Sequence, residues 1–305
     1  ITENGNFEGK SIPNLLQNET ADEEVESVLE KVYEYRKSRA GLRTDDKILT
    51  AWNSLMIAAM CAICRESGNT AYLEAAKKAQ EFIEDKLCEG DTLFVSYRGG
   101  SRGERGFLDD YAFYIYALLA LYGVTLEKKY LERATVLCRK TLSDFCDREQ
   151  GGFYLYGENG EKLILRPKER YDGAIPGGNS VMAYNLVRLS HLDEDEELEK
   201  AARRQLDFLY SRAKDYPAGY AMFLLALSDY FDPPAVITVV PKNKENIDAL
   251  ILNAPENSIL RVVNPGNEYR LKDGKTTFYV CRGHRCMPAE NDLNKCSDDG
   301  NTFNK

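Results

Sequence analysis

Apolar residues in this chain alternate between two helical patterns. Over residues 48–64 nearly every position is apolar, including Leu49, Ala51, Trp52, Leu55, Met56, Ile57, Ala58, Ala59 and Met60. That pattern predicts a helix buried on every side. Residues 69–87 are apolar on one face only, which predicts a half-buried helix. The alternation recurs: 108–123 is apolar all round, 127–146 one-faced, 179–192 mostly apolar, 195–213 one-faced, and 217–231 apolar again. A one-faced helix is also predicted over 22–37, from Val25, Val28, Leu29, Val32 and Tyr33. Residues 1–20 are polar, with a short extended piece around Asn6 and Phe7.

The apolar helices start near 48, 109, 179 and 217, a weak internal repeat. The economical packing is an inner ring of helices wrapped by an outer ring. Inner helices separated by one outer helix run parallel, so their N-terminal ends meet at one mouth. Two β-hairpins are predicted between helices, over 92–100 and over 151–166, the latter with an Asn159-Gly160 turn signal. A change of pattern follows Asp232-Pro233-Pro234: strand 235–240, helix 244–254, strands 258–263 and 276–283, then a polar tail after Asn291 expected to fray. The expected architecture is mainly α, a helical toroid or part of one over 1–232 and a small α/β appendage over 233–305.

Composition narrows the function. The chain has 305 residues and a formal net charge of −9, which argues against nucleic acid or an anionic membrane surface as partner. No stretch reaches the roughly 20 apolar residues of a membrane-spanning helix, and the N-terminus does not read as a signal peptide. The first residue is Ile1 rather than Met, so a processed or truncated product is expected. Without a secretory context the eight cysteines point to a reducing, cytoplasmic setting.

Each segment leading into an apolar helix carries charged or special residues: "RTDDK" (43–47), "GERGFLDD" (103–110), "ERYDGAIPGGNS" (169–180) and "DYPAG" (215–219). Parallel inner helices would bring Asp45, Asp46, Asp109, Asp110 and Asp172 together, with Arg43, Lys47, Arg105 and Arg170. Trp52, Tyr111 and Tyr171 would wall the cleft. Carboxylates and guanidinium groups hydrogen-bond sugar hydroxyls, and two carboxylates divide the labour of glycoside cleavage between acid and base or nucleophile. Burial or a second carboxylate raises a carboxyl's pKa toward that of an acid catalyst. The expected acid/base groups are Asp46 with Asp109 or Asp110. Trp52, Asn53, Tyr111, Arg170, Asp172 and Asn179 are expected to bind substrate. The plain alternative stands beside this: an aspartate at a helix start is a good N-cap, and for any single one capping is the commoner role. Likewise a lone tryptophan such as Trp52 is more often core, and the glycines and proline of 173–178 also suit a tight turn. No metal or cofactor is expected.

The stretches "LRTDDKILTAWNSLMIAAM", "GFLDDYAFYIYALLALY" and "YDGAIPGGNSVMAYNLVRL", with "GNFEGKSIPNLL" and "FYVCRGHRCMP", resemble the spermatogenesis-associated thioredoxin-like protein family. The resemblance implies a six-hairpin, glycosidase-like (α/α)6 toroid that follows a thioredoxin-like domain in the full-length protein. It implies that this chain is partial, with that domain and the first helical hairpins upstream of it. The toroid is also similar to that of N-acylglucosamine and cellobiose epimerases, which use histidines as acid and base. This sequence departs from them: its two histidines, His191 and His284, precede no inner helix. His191 reads as a helix C-terminal residue favoured by the dipole. The reading is thus a carbohydrate-directed hydrolase or isomerase using carboxylates. The alternative is a non-catalytic binding or scaffold module serving the thioredoxin-like domain.

Three cysteines and a histidine close the chain. Cys281, His284, Cys286 and Cys296 have the spacing C-x2-H-x-C-x9-C, which is not a standard zinc pattern. Cys281 and Cys286 are compatible with a local disulfide, a redox pair beside Arg282 and Arg285, or a buried strand cysteine plus a turn cysteine. Cys61-x-x-Cys64 lies within an apolar helix and reads as packing.

Overall fold

The computed structural model describes residues 3–12, 14, 23–39, 41, 43–160, 164–193, 195–243, 250–251, 254–255, 257–283 and 285–296. The chain falls into two compact units, Ile1–Asp46 and Lys47–Lys305. In the first, helix α1 (Glu23–Lys37) forms where the periodicity predicts it, with acidic residues in its first turn and Arg36 and Lys37 in its last, matching the helix dipole. None of its residues is buried, so its apolar stripe of Val25, Leu29 and Val32 lies exposed. Phe7 makes a two-way backbone bridge with Lys10.

The second unit is mostly helical with a C-terminal sheet. Its apolar helices are α2 (Thr50–Ser67), α4 (Leu108–Thr125), α6 (Gly178–Asp193) and α8 (Ala221–Phe231), the last preceded by a 3-10 turn at Pro217–Gly219. One-faced helices α3 (Thr70–Lys86), α5 (Lys128–Asp144) and α7 (Glu196–Ala213) alternate with them. α4 packs on α2, α5 and α6; α6 packs on α4, α7 and α8; and α3 lies against α2. The four apolar helices thus form an arc backed by three outer helices. Helix starts are set locally: Asn69 caps α3 and Asp195 caps α7 through their side-chain oxygens.

The arc departs from the expectation at its ends. α4 and α6 are enclosed, with Phe113, Tyr114, Leu118, Met182 and Leu186 inaccessible to solvent. α2 instead exposes Trp52, Met56 and Ile63, and α8 exposes Leu224, Leu225 and Phe231. An apolar helix is covered on all sides only where neighbours flank it twice, and α2 and α8 have one inner neighbour each. The core also holds a polar network: the Tyr114 hydroxyl donates to Glu84 (2.6 Å) and accepts from Gln80 (3.0 Å), while Arg133 pairs with Glu84 (2.9 Å) and Asp91 (2.6 Å). It ties α3, α4 and α5 together while leaving these groups hydrogen-bonded.

The hairpin predicted over 92–100 turns later than expected. β4 (Ser96–Arg98) and β5 (Ser101–Arg102) pair around Gly99 and Gly100, both in the left-handed region that favours glycine. β4 also pairs with β1 (Ile48–Leu49), and β2 (Cys88–Glu89) pairs with β3 (Thr92–Leu93). The hairpin expected over 151–166 does not form among the described residues. This stretch is a loop, with only an isolated bridge between Cys146 and Phe153. Its turn at Gly157–Gly160 is held by a Gly160 N–H to Gly157 carbonyl bond of 3.1 Å, so the Asn-Gly signal produced a turn without flanking strands.

After Asp232 the architecture changes to a four-stranded sheet of order β7-β6-β8-β9: β6 (Ala235–Val240), β7 (Ser258–Val262), β8 (Thr277–Arg282) and β9 (Arg285–Cys286). β6 and β7 are parallel, and β8 runs antiparallel to β6 and to β9. The helix expected over 244–254 lies mostly outside the described residues. Arg261 joins the sheet to the helices by donating to the Leu192 carbonyl (3.2 Å) near the end of α6. Among the described residues no helix is long and apolar enough to cross a membrane.

Candidate active site at the mouth of the helical arc

Three links place the N-termini of the four apolar helices side by side. Ala51, in the first turn of α2, donates its backbone N–H to Asp110 of α4 (3.1 Å). The backbone N–H of Gly178, which opens α6, lies against the carboxyl of Asp109. Met222, in the first turn of α8, donates to Asp172 ahead of α6 (2.9 Å). The helices therefore run parallel and their lead-in segments converge on one mouth, as the alternation of patterns predicts.

The same links show what most of these side chains do. Asp110 is 3 % exposed and uses both oxygens on backbone donors, Oδ1 for Ala51 and Oδ2 for Phe107 at 2.9 Å. Asp172 is built alike, accepting from Gly177 (2.8 Å) with Oδ1 and from Met222 with Oδ2. Each carboxylate closes its own lead-in turn and caps the neighbouring inner helix. Asn179 is buried and holds the loop against α6: its oxygen accepts from Phe153 (2.8 Å), its amide donates to the carbonyls of Phe153 (3.0 Å) and Glu169 (2.7 Å), and Gln205 donates to it (3.0 Å). Asn53 donates to the Leu49 carbonyl (2.8 Å). The buried Tyr111 hydroxyl accepts from Leu93 (3.0 Å). Arg170 stacks over Phe208 of α7, 4.5 Å from the ring centre. Trp52 stands in the first turn of α2 and is 63 % exposed, so it is not core. Asp46 ends the first unit, where it is exposed, so the site is built from the second unit alone.

Asp109 differs from these. Burial pushes its carboxyl up to about 6, the charge of Glu169 adds to the rise, and the Gly178 N–H partly offsets it. Asp110 is pushed up to about 7, chiefly by burial, against two backbone hydrogen bonds that favour its charged form. Gly178 makes the approach of Asp109 possible: a Cβ there would run into its Oδ1 and crowd Leu108. Glu169, exposed beside Arg170, was not among the residues singled out from the sequence; the signal lay in the same lead-in segment. Aromatic residues flank this part of the mouth. Tyr171 and Tyr216 stack in parallel with ring centres 6.3 Å apart, and Tyr220 meets Tyr171 edge-on at 6.2 Å. Tyr171 and Tyr216 are both more than half exposed.

Asp109 and Glu169 line neither of two cavities in this unit. One, of about 470 Å³, is bounded by Arg105, Phe107, Tyr111, Lys140, Asp144 and Tyr156. The other, of about 340 Å³, lies between α2, α4, α6 and the sheet, against Tyr116, Tyr184 and Arg188.

The expectation for His191 changes, and one of the alternatives left open for Cys281 and Cys286 is realised. Burial lowers the pKa of His191, and its Nε2 is buried without a hydrogen-bond partner, so the ring is held neutral instead of charged at the helix end. His284 lies outside the described residues. Cys281 and Cys286 are joined in a disulfide and so cannot serve as thiolate ligands, which removes the four-ligand set. Cys61 and Cys64 are buried in α2, in keeping with a packing role.

Sequence relatives bear out the family resemblance. Human spermatogenesis-associated protein 20 is 35% identical over 176 residues, 54% of this chain and 22% of that protein. The rat protein of the same name is 32% identical over 211 residues, 66% of this chain and 27% of that protein. An uncharacterized protein of Caenorhabditis elegans is 26% identical over 284 residues, 86% of this chain and 39% of that protein. The chain thus spans well under half the length of these relatives. No family model matches the chain. Among solved structures it is similar to a cellobiose 2-epimerase from Bacillus thermoamylovorans, at 20% identity and a TM-score of 0.47 over 57% of this chain and 47% of that one. It is similar at the same TM-score to a GH76 α-mannanase from Bacteroides thetaiotaomicron, at 15% identity over the same shares.

Proposed function

We propose that this protein is a carbohydrate-directed module, a portion of an (α/α)6 toroid, in which Asp109 is the proton-carrying carboxylate and Glu169 its charged neighbour. The observation that carries the reading is the Asp109 carboxyl raised to about 6 at the converging helix N-termini. A carboxylic acid in that range keeps its proton to higher pH than an ordinary exposed one. Such a pair suits protonation of a glycosidic oxygen in a hydrolase, or proton transfer at carbon in an isomerase. The exposed rings of Tyr171 and Tyr216 offer flat apolar faces to the C–H surface of a sugar. Asp110, Asp172 and Asn179 support the rim instead of reacting, because their side-chain oxygens are engaged by backbone groups.

That engagement also favours a second reading, a non-catalytic module working with an upstream thioredoxin-like domain. The test is thermal unfolding with a panel of mono- and oligosaccharides, alongside an assay of sugar turnover, on the wild type and on Asp109→Asn. A saturable rise in Tm is expected, by about 2.7 kcal/mol of stabilisation at a hundredfold excess over Kd. Turnover should be lost in Asp109→Asn with binding kept. Absence of stabilisation by any sugar would sink the carbohydrate reading. Binding without turnover in the wild type selects the second one.

A further inference from the structure

We propose that Cys281 and Cys286 form a thiol–disulfide exchange site for a low-molecular-weight thiol such as glutathione. The pair sits at directly opposite positions of β8 and β9, with Cα atoms 4.1 Å apart. The antiparallel hairpin brings the two sulfurs together by backbone pairing. The bond encloses only residues 282–285, so it removes little chain entropy and the fold gains little from it. β9 is the sheet edge, and Cys286 is exposed while Cys281 is half-buried. Arg282 and Arg285 face each other across the same hairpin.

The other cysteines are a contrast. Cys61, Cys64, Cys88, Cys138 and Cys296 are buried and Cys146 is half-buried. Burial pushes the thiols of Cys61 and Cys88 up to about 12 and that of Cys296 to about 11, and raises that of Cys146. A thiol that stays protonated and shielded is neither nucleophile nor target. The reactive sulfur is that of Cys286.

The exchange balances as follows. A thiolate of the small thiol attacks Cys286 Sγ, a mixed disulfide forms, and the electron pair of the old bond leaves on Cys281 Sγ, which takes a proton from water. A second thiolate attacks the small thiol's own sulfur in that mixed disulfide. It releases the oxidised small-molecule disulfide, and Cys286 Sγ leaves as a thiolate that is protonated in turn. Two thiols are oxidised and one protein disulfide is reduced.

The experiment equilibrates the 305-residue chain in glutathione buffers of increasing reduced-to-oxidised ratio, quenches with N-ethylmaleimide without denaturant, and locates label by peptide mass spectrometry. Cys281 and Cys286 should pass together from unlabelled to labelled in one transition that reverses on reoxidation, with Cys61, Cys88, Cys138 and Cys296 unlabelled throughout. A pair that stays unlabelled until the protein is denatured, or is labelled even in the most oxidising buffer, would overturn the proposal. Single variants assign the attacked sulfur. With oxidised glutathione, Cys281→Ser should gain one glutathione on Cys286 at least about tenfold faster than Cys286→Ser gains it on Cys281. Equal rates would remove Cys286 from that role.

Discussion

α4 and α2 are both apolar over most of their positions, yet one is enclosed and the other is an edge. Both begin at the mouth. α4 has inner neighbours on both sides and an outer helix behind it, so that even Tyr111, Tyr114 and Tyr122 are buried. α2 has a single inner neighbour and carries Trp52, Met56 and Ile63 on an open face. α8 repeats this at the other end of the arc with Leu224, Leu225 and Phe231. The difference teaches that an all-round apolar pattern reports a helix suited to enclosure, and that topology decides whether the enclosure is present. Apolar stripes of this kind mark surfaces suited to contact.

The comparison is most easily broken by truncating one large side chain in each region. Phe113→Ala in α4 should cost about 3–5 kcal/mol through lost burial and a residual cavity, whereas Trp52→Ala in α2 should stay within about 0.5 kcal/mol. Urea unfolding measures both, and equal losses would mean that α2 is as enclosed as α4.

The rim comes next. Asp172→Ala leaves the Gly177 and Met222 N–H groups without their acceptor. About 2–4 kcal/mol should be lost, at about 1–3 kcal/mol for each donor that stays buried. Asp110→Asn keeps one acceptor and turns an amide toward a backbone donor, so a loss of about 1–2 kcal/mol is expected. A circular-dichroism melt that matches the wild type would return Asp110 to the acid/base candidates, or Asp172 to the substrate ligands.

A further test is the pH dependence. Asp109 and Asp110 have folded pKa values near 6 and 7, above the roughly 3.9 of an unfolded aspartate. The folded state then binds more protons than the unfolded one between those limits. Stability is greatest below about pH 4 for these two groups and falls as pH rises toward about 7. Asp147 acts in the opposite sense. Lys168 at 2.5 Å, with backbone and Tyr154 hydrogen bonds, holds its carboxyl well below the usual range. Its contribution is present above the unfolded pKa and is lost only in stronger acid. Asp109→Asn should flatten the decline by about 3 kcal/mol over this window, at about 1.4 kcal/mol per pKa unit. A decline unchanged in that variant would remove Asp109 as its source.

Much of the helical plan was legible because a period of 3.6 and a run without polar interruption are properties of the chain alone. The convergence of helix starts followed from parity, since every second helix must point the same way. Burial of α1, α2 and α8 was not legible, because it depends on neighbours the local pattern does not name. The loop over 151–166 misled for a related reason. Asn159-Gly160 specifies a turn, but strands need partners, and here Asn179 holds Phe153 from outside while Arg166 ties the end of the segment back to the Tyr156 carbonyl at 2.7 Å. Within the candidate site, the doubled Asp109 and Asp110 lie at the helix starts, whereas Asp46 belongs to the first unit. Which of Asp109 and Asp110 caps and which is left against Glu169 turns on a few ångströms of helix phase. Glu169 was passed over because a lone exposed glutamate carries no pattern of its own.

The pairing of each rim carboxylate with two different segments has a mechanical consequence. Ala51, Phe107, Gly177 and Met222 give their backbone amides to just two side chains, Asp110 joining the starts of α2 and α4 and Asp172 those of α6 and α8. No inner helix can swivel at its start without dragging an adjacent one, so the rim of the arc is braced in pairs.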